Sequence, residues 1–165
     1  MDKKLYEVMN EQITKELFSA YLYLAMAADL EEKGLPGMAQ WMKVQSREEI
    51  THGMKIFDYL NDRGEKVVLK GFEQPQSGYP SVKGIFEETL KHEQKVTASI
   101  NTVYSTALDV KDHAAVGFMQ WFVDEQVEEE KSASDILAKL SYIKENSMGI
   151  LMLDKELGAR VPGQE

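Results

Sequence analysis

The chain has no cysteine among its 165 residues. Disulfides, thiolate metal ligands and thiol catalysis are thereby excluded, and the absence fits a reducing compartment. Proline and glycine are also scarce, at 4 and 11 residues, so breaks in regular structure must be few. Although 43% of the residues are hydrophobic, no stretch approaches the roughly 20 consecutive apolar residues of a membrane span. Residues 1–15 carry charges throughout and lack the apolar segment of a secretory leader. A soluble, cytoplasmic protein with no membrane partner is expected. Basic charge is short as well: 19 Lys and Arg face 28 Asp and Glu, a net charge of −9. Nucleic acid and anionic lipid are bound by Lys and Arg that displace phosphate counterions, so neither is an expected partner. A surface of this sign attracts cations.

What is present is helix. Segments of about 25–30 residues are rich in Leu, Met, Ala, Glu and Lys, all good helix formers. Gly34-Leu35-Pro36-Gly37 separates the first two. A looser stretch runs from Gly64 through Gly71, Pro75, Gly78 and Pro80, and short polar breaks fall at 109–113 and 146–149. The spacing predicts helices near 3–33, 37–64, 81–110 and 112–144, with a short fifth near 147–157. One domain over 1–165 suits this length. Two of the links are a few residues long, which makes antiparallel hairpins. The link over 65–80 is long enough to run the height of a bundle at about 3.3 Å per residue, with Val67-Val68-Leu69 along its outside. The expected fold is all-α: an antiparallel four-helix bundle with one long crossover and a short C-terminal helix.

Steps of three and four along each helix pick out an inward stripe. The first helix gives Leu5, Met9, Gln12, Glu16, Ser19, Tyr23, Met26 and Leu30; the second gives Met38, Met42, Gln45, Glu49, His52, Ile56 and Tyr59. The third gives Val82, Phe86, Thr89, Glu93, Val96, Ile100 and Val103; the fourth gives Ala115, Met119, Phe122, Gln126, Glu129, Ala133, Ile136 and Leu140. Each stripe is apolar at both ends and polar at its middle, so the polar groups meet at one level. Adding 77 to Glu16, Glu49 and His52 gives Glu93, Gln126 and Glu129, so the two hairpins read as diverged copies. His92 and His113 fall off the stripes and are expected at the surface.

Burying an unpaired carboxylate costs several kcal/mol or forces it to stay protonated. Glu16, Glu49, Glu93 and Glu129 sum to −4 with no Lys or Arg on the stripes beside them. Two divalent cations balance that charge. If both are oxidised by one step, the excess of positive charge is met by a dianion of reduced oxygen, which suits a site that oxidises its metal. Carboxylates with one imidazole and no sulfur suit iron or manganese and would accept zinc. Glu49-Ile50-Thr51-His52 puts two ligands on one helical face, whereas its counterpart 126–129 has Gln and Glu in those places. The spacing therefore predicts a lopsided pair: Glu16, Glu49 and His52 on one ion, Glu93 and Glu129 on the other, Glu49 as the bridge, and Gln126 as a hydrogen-bonding neighbour. A metal-dependent enzyme acting on an organic substrate, and a structural bundle whose carboxylates meet partner chains, stay open on these grounds.

The motifs EQITKELFSAYLYL around Glu16, REEITH at 47–52, KHEQ at 91–94 and DEQVEEE at 124–130 resemble the bacterial non-haem ferritins, over essentially the whole chain. The resemblance implies a ferritin-like bundle assembled as a homo-oligomeric shell of 24 subunits. It implies a ferroxidase that oxidises Fe(II) with O2 or H2O2 at an intrasubunit di-iron centre and stores the product as hydrated ferric oxide. Position by position, Glu16, Glu49 and His52 match its first iron site, and Glu49, Glu93 and Glu129 its second. Glu48, Glu125, Glu128 and Glu129 match a third, adjoining iron site. Tyr23 and Trp121 match aromatics that supply an extra electron. Bacterioferritins carry a second E-x-x-H and a haem-binding Met between the second helix's ligands; this chain has Gln126, Glu129 and Ile50 there, so no haem is expected. In animal ferritins an acidic pair lines the threefold channels, and the aligned positions here are Val116 and Met119.

Overall fold

The computed structural model describes residues 1–144 and 147–161. Among the described residues there are five helices: α1 (Lys3–Glu32), α2 (Pro36–Asp62), α3 (Val82–Asp109), α4 (His113–Ser141) and α5 (Met148–Leu157). There is no strand among the described residues. Of the polar break expected over 146–149, Asn146 lies outside the described residues.

Local chemistry starts and stops the helices. The Asp2 carboxylate caps α1 by accepting from the Lys4 and Leu5 amides, Ser81 caps α3 through Gly84 N, and Asp112 caps α4 through Ala115 N. Such side-chain caps satisfy amides that the first turn leaves without partners. After α1, Gly34 takes up φ 74°, a left-handed conformation that ends the helix without a Cβ clash. Pro36 then opens α2, where its missing N–H is no loss.

The direction of the long crossover follows from what holds it. Near the start of α1, the Asn10 side chain brackets Val68, donating to its carbonyl (2.9 Å) and accepting from its amide (2.8 Å). Near the end of α1, the Asp29 carboxylate accepts from Tyr79 N at 2.7 Å. The crossover thus climbs alongside α1, and α3 begins at the level where α1 ends. Val68 and Leu69 stay exposed on this outer path. Pairs α1–α2, α3–α4 and α1–α3 pack together, and α5 rests on α2.

Helix α2 lacks a side-chain cap of its own, and α5 supplies one. Asp154 Oδ1 accepts from Met38 N at 2.8 Å. The approach depends on Gly37, where a Cβ would stand 1.9 Å from the Asp154 carbonyl oxygen. Gly37→Ala should therefore drive α5 off the bundle and destabilise the chain by about 1–3 kcal/mol. Thermal unfolding would read the loss, and faster amide exchange across α5 would locate it; unchanged exchange there would refute this account.

The predicted stripes are the buried faces. Every stripe residue on α1, α3 and α4 is buried, and on α2 only Tyr59 departs, half-buried and stacked on Phe118 at 3.9 Å. Met119 is wholly buried and faces the bundle core, whereas Val116 is half-buried. The apolar core falls into two clusters. One holds Tyr23, Met26, Leu30, Met42 and Phe86, where α5 closes the end. The other holds Leu5, Met9, Ile56, Ile100 and Met119. Between them lies the polar layer.

Candidate metal centre

Four helices contribute to that layer: Glu16 from α1, Glu49 and His52 from α2, Glu93 from α3, and Gln126 and Glu129 from α4. None of the six is more than 5% exposed. Carboxylates so deep need partners, and the structure gives them only some. Gln12 Nε2 donates to Glu16 Oε1 at 2.8 Å, and Gln45 Nε2 donates to Glu129 Oε2 at 2.6 Å. Glu93 accepts from the Tyr23 hydroxyl on one oxygen and from Gln126 Nε2 (3.1 Å) on the other. Gln126 thus stands as a hydrogen-bond donor, held also by the Glu93 carbonyl and Thr97 Oγ1.

Four oxygens of the layer accept from no N–H or hydroxyl donor: Glu16 Oε2, both oxygens of Glu49, and Glu129 Oε1, while Glu16 and Glu49 are close enough to share a proton. Buried polar atoms almost always have a partner, and a layer with four exceptions is a layer arranged for something else. Glu16, Glu49 and His52 can each bring one ligand atom into a space where all lie within 4.8 Å of one another. His52, Glu125 and Glu129 form a second such group. His52 Nδ1 lies 3.7 Å from Glu49 Oε2 and its Nε2 lies 3.9 Å from Glu125 Oε1. Hard oxygens with one imidazole fit iron, manganese or zinc. Glu93 stands outside both groups, and so does Glu128, which is exposed. Glu48 is half-buried and salt-bridged to Arg160 at 2.7 Å.

Without a cation the layer resists ionisation. Burial pushes Glu49 well above the usual carboxylate range, reinforced by the charges of Glu93, Glu16 and Glu129. Burial and the Glu93 charge raise Glu129 to about 8 against the opposing Gln45 donor. Burial lifts Glu93 to about 7 despite the donors Tyr23 and Gln126, and it raises Glu16 too. The His52 imidazole is pushed down to about 4 by burial, then by the Lys55 charge. At neutral pH it is a neutral ring with a lone pair to offer.

Both expected aromatics lie beside these groups. Tyr23 is wholly buried, and Trp121 packs edge-on against His52 with ring centroids 5.4 Å apart. Lys55 Nζ sits over the Trp121 ring at 3.5 Å, a cation–π contact. The expectation for His113 matches its exposed position at the start of α4. His92 corrects its expectation: it is buried, with Nε2 2.7 Å from Ser19 Oγ. The cause is tertiary. Phe18 packs 6.0 Å from the His92 ring and is itself covered by Phe72 of the crossover, which helical periodicity does not register. Two residues without an expected role also reach the layer: Gln45, visible on the α2 stripe, and Arg160, which follows the last helix and carries no periodic signal.

Known proteins resemble the chain along its whole length. The ferritin-like domain family matches residues 6–143. A bacterial non-heme ferritin of Staphylococcus aureus is 36% identical over 165 residues, spanning 100% of this chain and 99% of its own. A solved structure of an open pore ferritin from the archaeon Archaeoglobus fulgidus superposes with a TM-score of 0.96 at 45% identity, covering 98% of this chain and 99% of that one. A humanized archaeal ferritin gives 0.97 at 43% identity, with 99% of each chain covered. A bundle with one long crossover, a buried carboxylate layer able to hold metal and full-length likeness at this level place the chain in one family: it belongs to the ferritins, proteins that handle and store iron.

Proposed function

We propose that the chain is a subunit of a cytoplasmic iron-storage shell of 24 copies. In this reading Fe(II) is the substrate, O2 or H2O2 accepts its electrons at the buried layer, and the ferric product is kept as mineral inside. The observation that carries the proposal is the set of four buried carboxylate oxygens that no N–H or hydroxyl donor reaches. Glu16, Glu49 and His52 hold one ferrous ion; Glu49, Glu93 and Glu129 hold the other. Glu49 has both oxygens to give, as a bridge requires. Glu93 keeps a lone pair on each oxygen beyond those used by Tyr23 and Gln126. Glu125 beside Glu129, with Glu48 and Glu128 further out, forms the adjoining third site.

Two ferrous ions release two electrons, enough to take O2 with two protons to H2O2, or H2O2 with two protons to two waters. Further electrons come from the third iron, Tyr23 or Trp121. Tyr23 can lose its electron without creating a buried cation, because its hydroxyl proton already points at Glu93 and can transfer there. Assembly is supported by the exposed apolar side chains of α5, Met148, Leu151 and Met152, and by Tyr21, Leu24 and Phe72 on the crossover side, which a monomer would present to water. The Archaeoglobus relative's open pore likewise supports a wall of subunits.

The test is anaerobic Fe(II) loading followed by O2, with particle size measured in parallel. The expected particle is about 450 kDa, twenty-four copies of an 18.8 kDa chain, that oxidises its first two irons per subunit fastest. A dimer at every salt concentration would refute the shell. Oxidation no faster than in protein-free buffer would refute the centre.

A further inference from the structure

The outer acidic group already faces a cation of the protein's own. The Asp154 cap and the close passage of Gly158 over Gly37, where a Cβ on Gly158 would come within 2.9 Å of the Gly37 Cα, bring the chain after α5 back across α2. Arg160 is thereby laid over the Trp41 ring at 4.8 Å. Its Nη2 meets Glu48 Oε2 at 2.7 Å, and its Nη1 donates to Gln45 Oε1. The Arg160 and Glu48 side chains are only 14% and 15% exposed. A planar fork stacked on an indole and shared between two acceptors is a built contact.

Gln45 is consequently pinned at both ends. Its oxygen accepts from Arg160 and its nitrogen donates to Glu129. A guanidinium can only donate, so Arg160 fixes which way the amide faces. Without it the amide is free to turn and offer its oxygen to the layer.

We propose that Arg160 is a positioning residue and resident competitor at the outer cation site: it holds Glu48 until a divalent cation displaces it, and its departure releases Gln45 from Glu129. The proposal rests on the reading of Glu48, Glu125 and Glu129 as an outer cation site. Two cations drawn to one carboxylate repel each other, so the competition is reciprocal: Arg160 weakens the third ion, and the third ion loosens the turn after α5.

Equilibrium binding of Co(II), a redox-inert probe, to the assembled metal-free protein tests this. Arg160→Ala should tighten the third equivalent roughly tenfold while the first two remain. Arg160→Lys, which keeps the charge, should leave the third near wild type. In wild type, filling the third equivalent should speed amide exchange at residues 158–160. A third equivalent unchanged in Arg160→Ala, equal tightening in Arg160→Lys, or exchange unaltered by Co(II) would each overturn the proposal. Glu125→Gln checks the underlying reading separately: if it leaves the third equivalent in place, the outer site itself is misassigned, whatever Arg160 does.

Discussion

Replacing Glu49 with glutamine should raise the melting temperature of the iron-free protein at pH 8 while slowing ferrous oxidation at least about a hundredfold. The two effects have one cause. Glu49 is 1% exposed, no N–H or hydroxyl donor reaches either of its oxygens, and three other carboxylates crowd it. Glutamine keeps the shape, needs no proton to stay neutral, and brings an amide donor among oxygens that lack one. Holding a carboxyl neutral above its unfolded value costs folding free energy that glutamine does not carry. Replacing a poorly compensated buried ionisable group is worth about 1–4 kcal/mol in comparable settings, or several degrees in a chain of this length. The same change removes the proposed bridge between the ions. Calorimetry of metal-free protein and stopped-flow oxidation on one preparation read both. A variant that oxidised iron at the wild-type rate would sink the assigned centre; one that lost rate and stability together would show that Glu49 supports the fold.

The iron-free protein should also lose stability as pH rises from about 6.5 to 8, and divalent cations should cancel the loss. Glu93 and Glu129 have folded-state values raised to about 7 and about 8. A raised acid favours folding fully below its unfolded value, about 4.3, and that contribution is lost as pH climbs through the folded value. The buried histidines oppose this at lower pH. His52 and His92 are pushed down to about 4, so folding gains stability from them as pH rises from about 4 to their unfolded value near 6.5. Above that only the carboxylates act, and each contributes up to about 1.4 kcal/mol per pH unit. The expected drop is about 2–4 kcal/mol. A bound divalent ion replaces the protons, so thermal unfolding with Co(II) should be flat or rising across the same window. A flat profile without metal would contradict the raised values.

Much of this was legible because helices print their burial with a fixed period. The α4 stripe from Ala115 to Leu140 is buried at every position, and its only polar residues, Gln126 and Glu129, mark the layer. Asn10 and Val68 show where that reading runs out. Nothing in the helical pattern says that an amide on α1 brackets the crossover, because side chains that bind a passing backbone obey no period. His92 was misplaced for the same reason: the covering came from Phe18 and the crossover's Phe72. Arg160 lay beyond the reach of pattern altogether, since its place depends on Gly37 allowing α5 to touch α2.

The division of the core carries a mechanical consequence. With apolar clusters on either side of the charged layer, the bundle resembles a rod gripped at both ends and left slack in the middle. A centre that must fill and empty many times needs a span whose charge can swing without letting the helices part. The grips supply cohesion that does not depend on cargo. The middle is then free to be, by itself, a poor piece of protein and a good place for a metal.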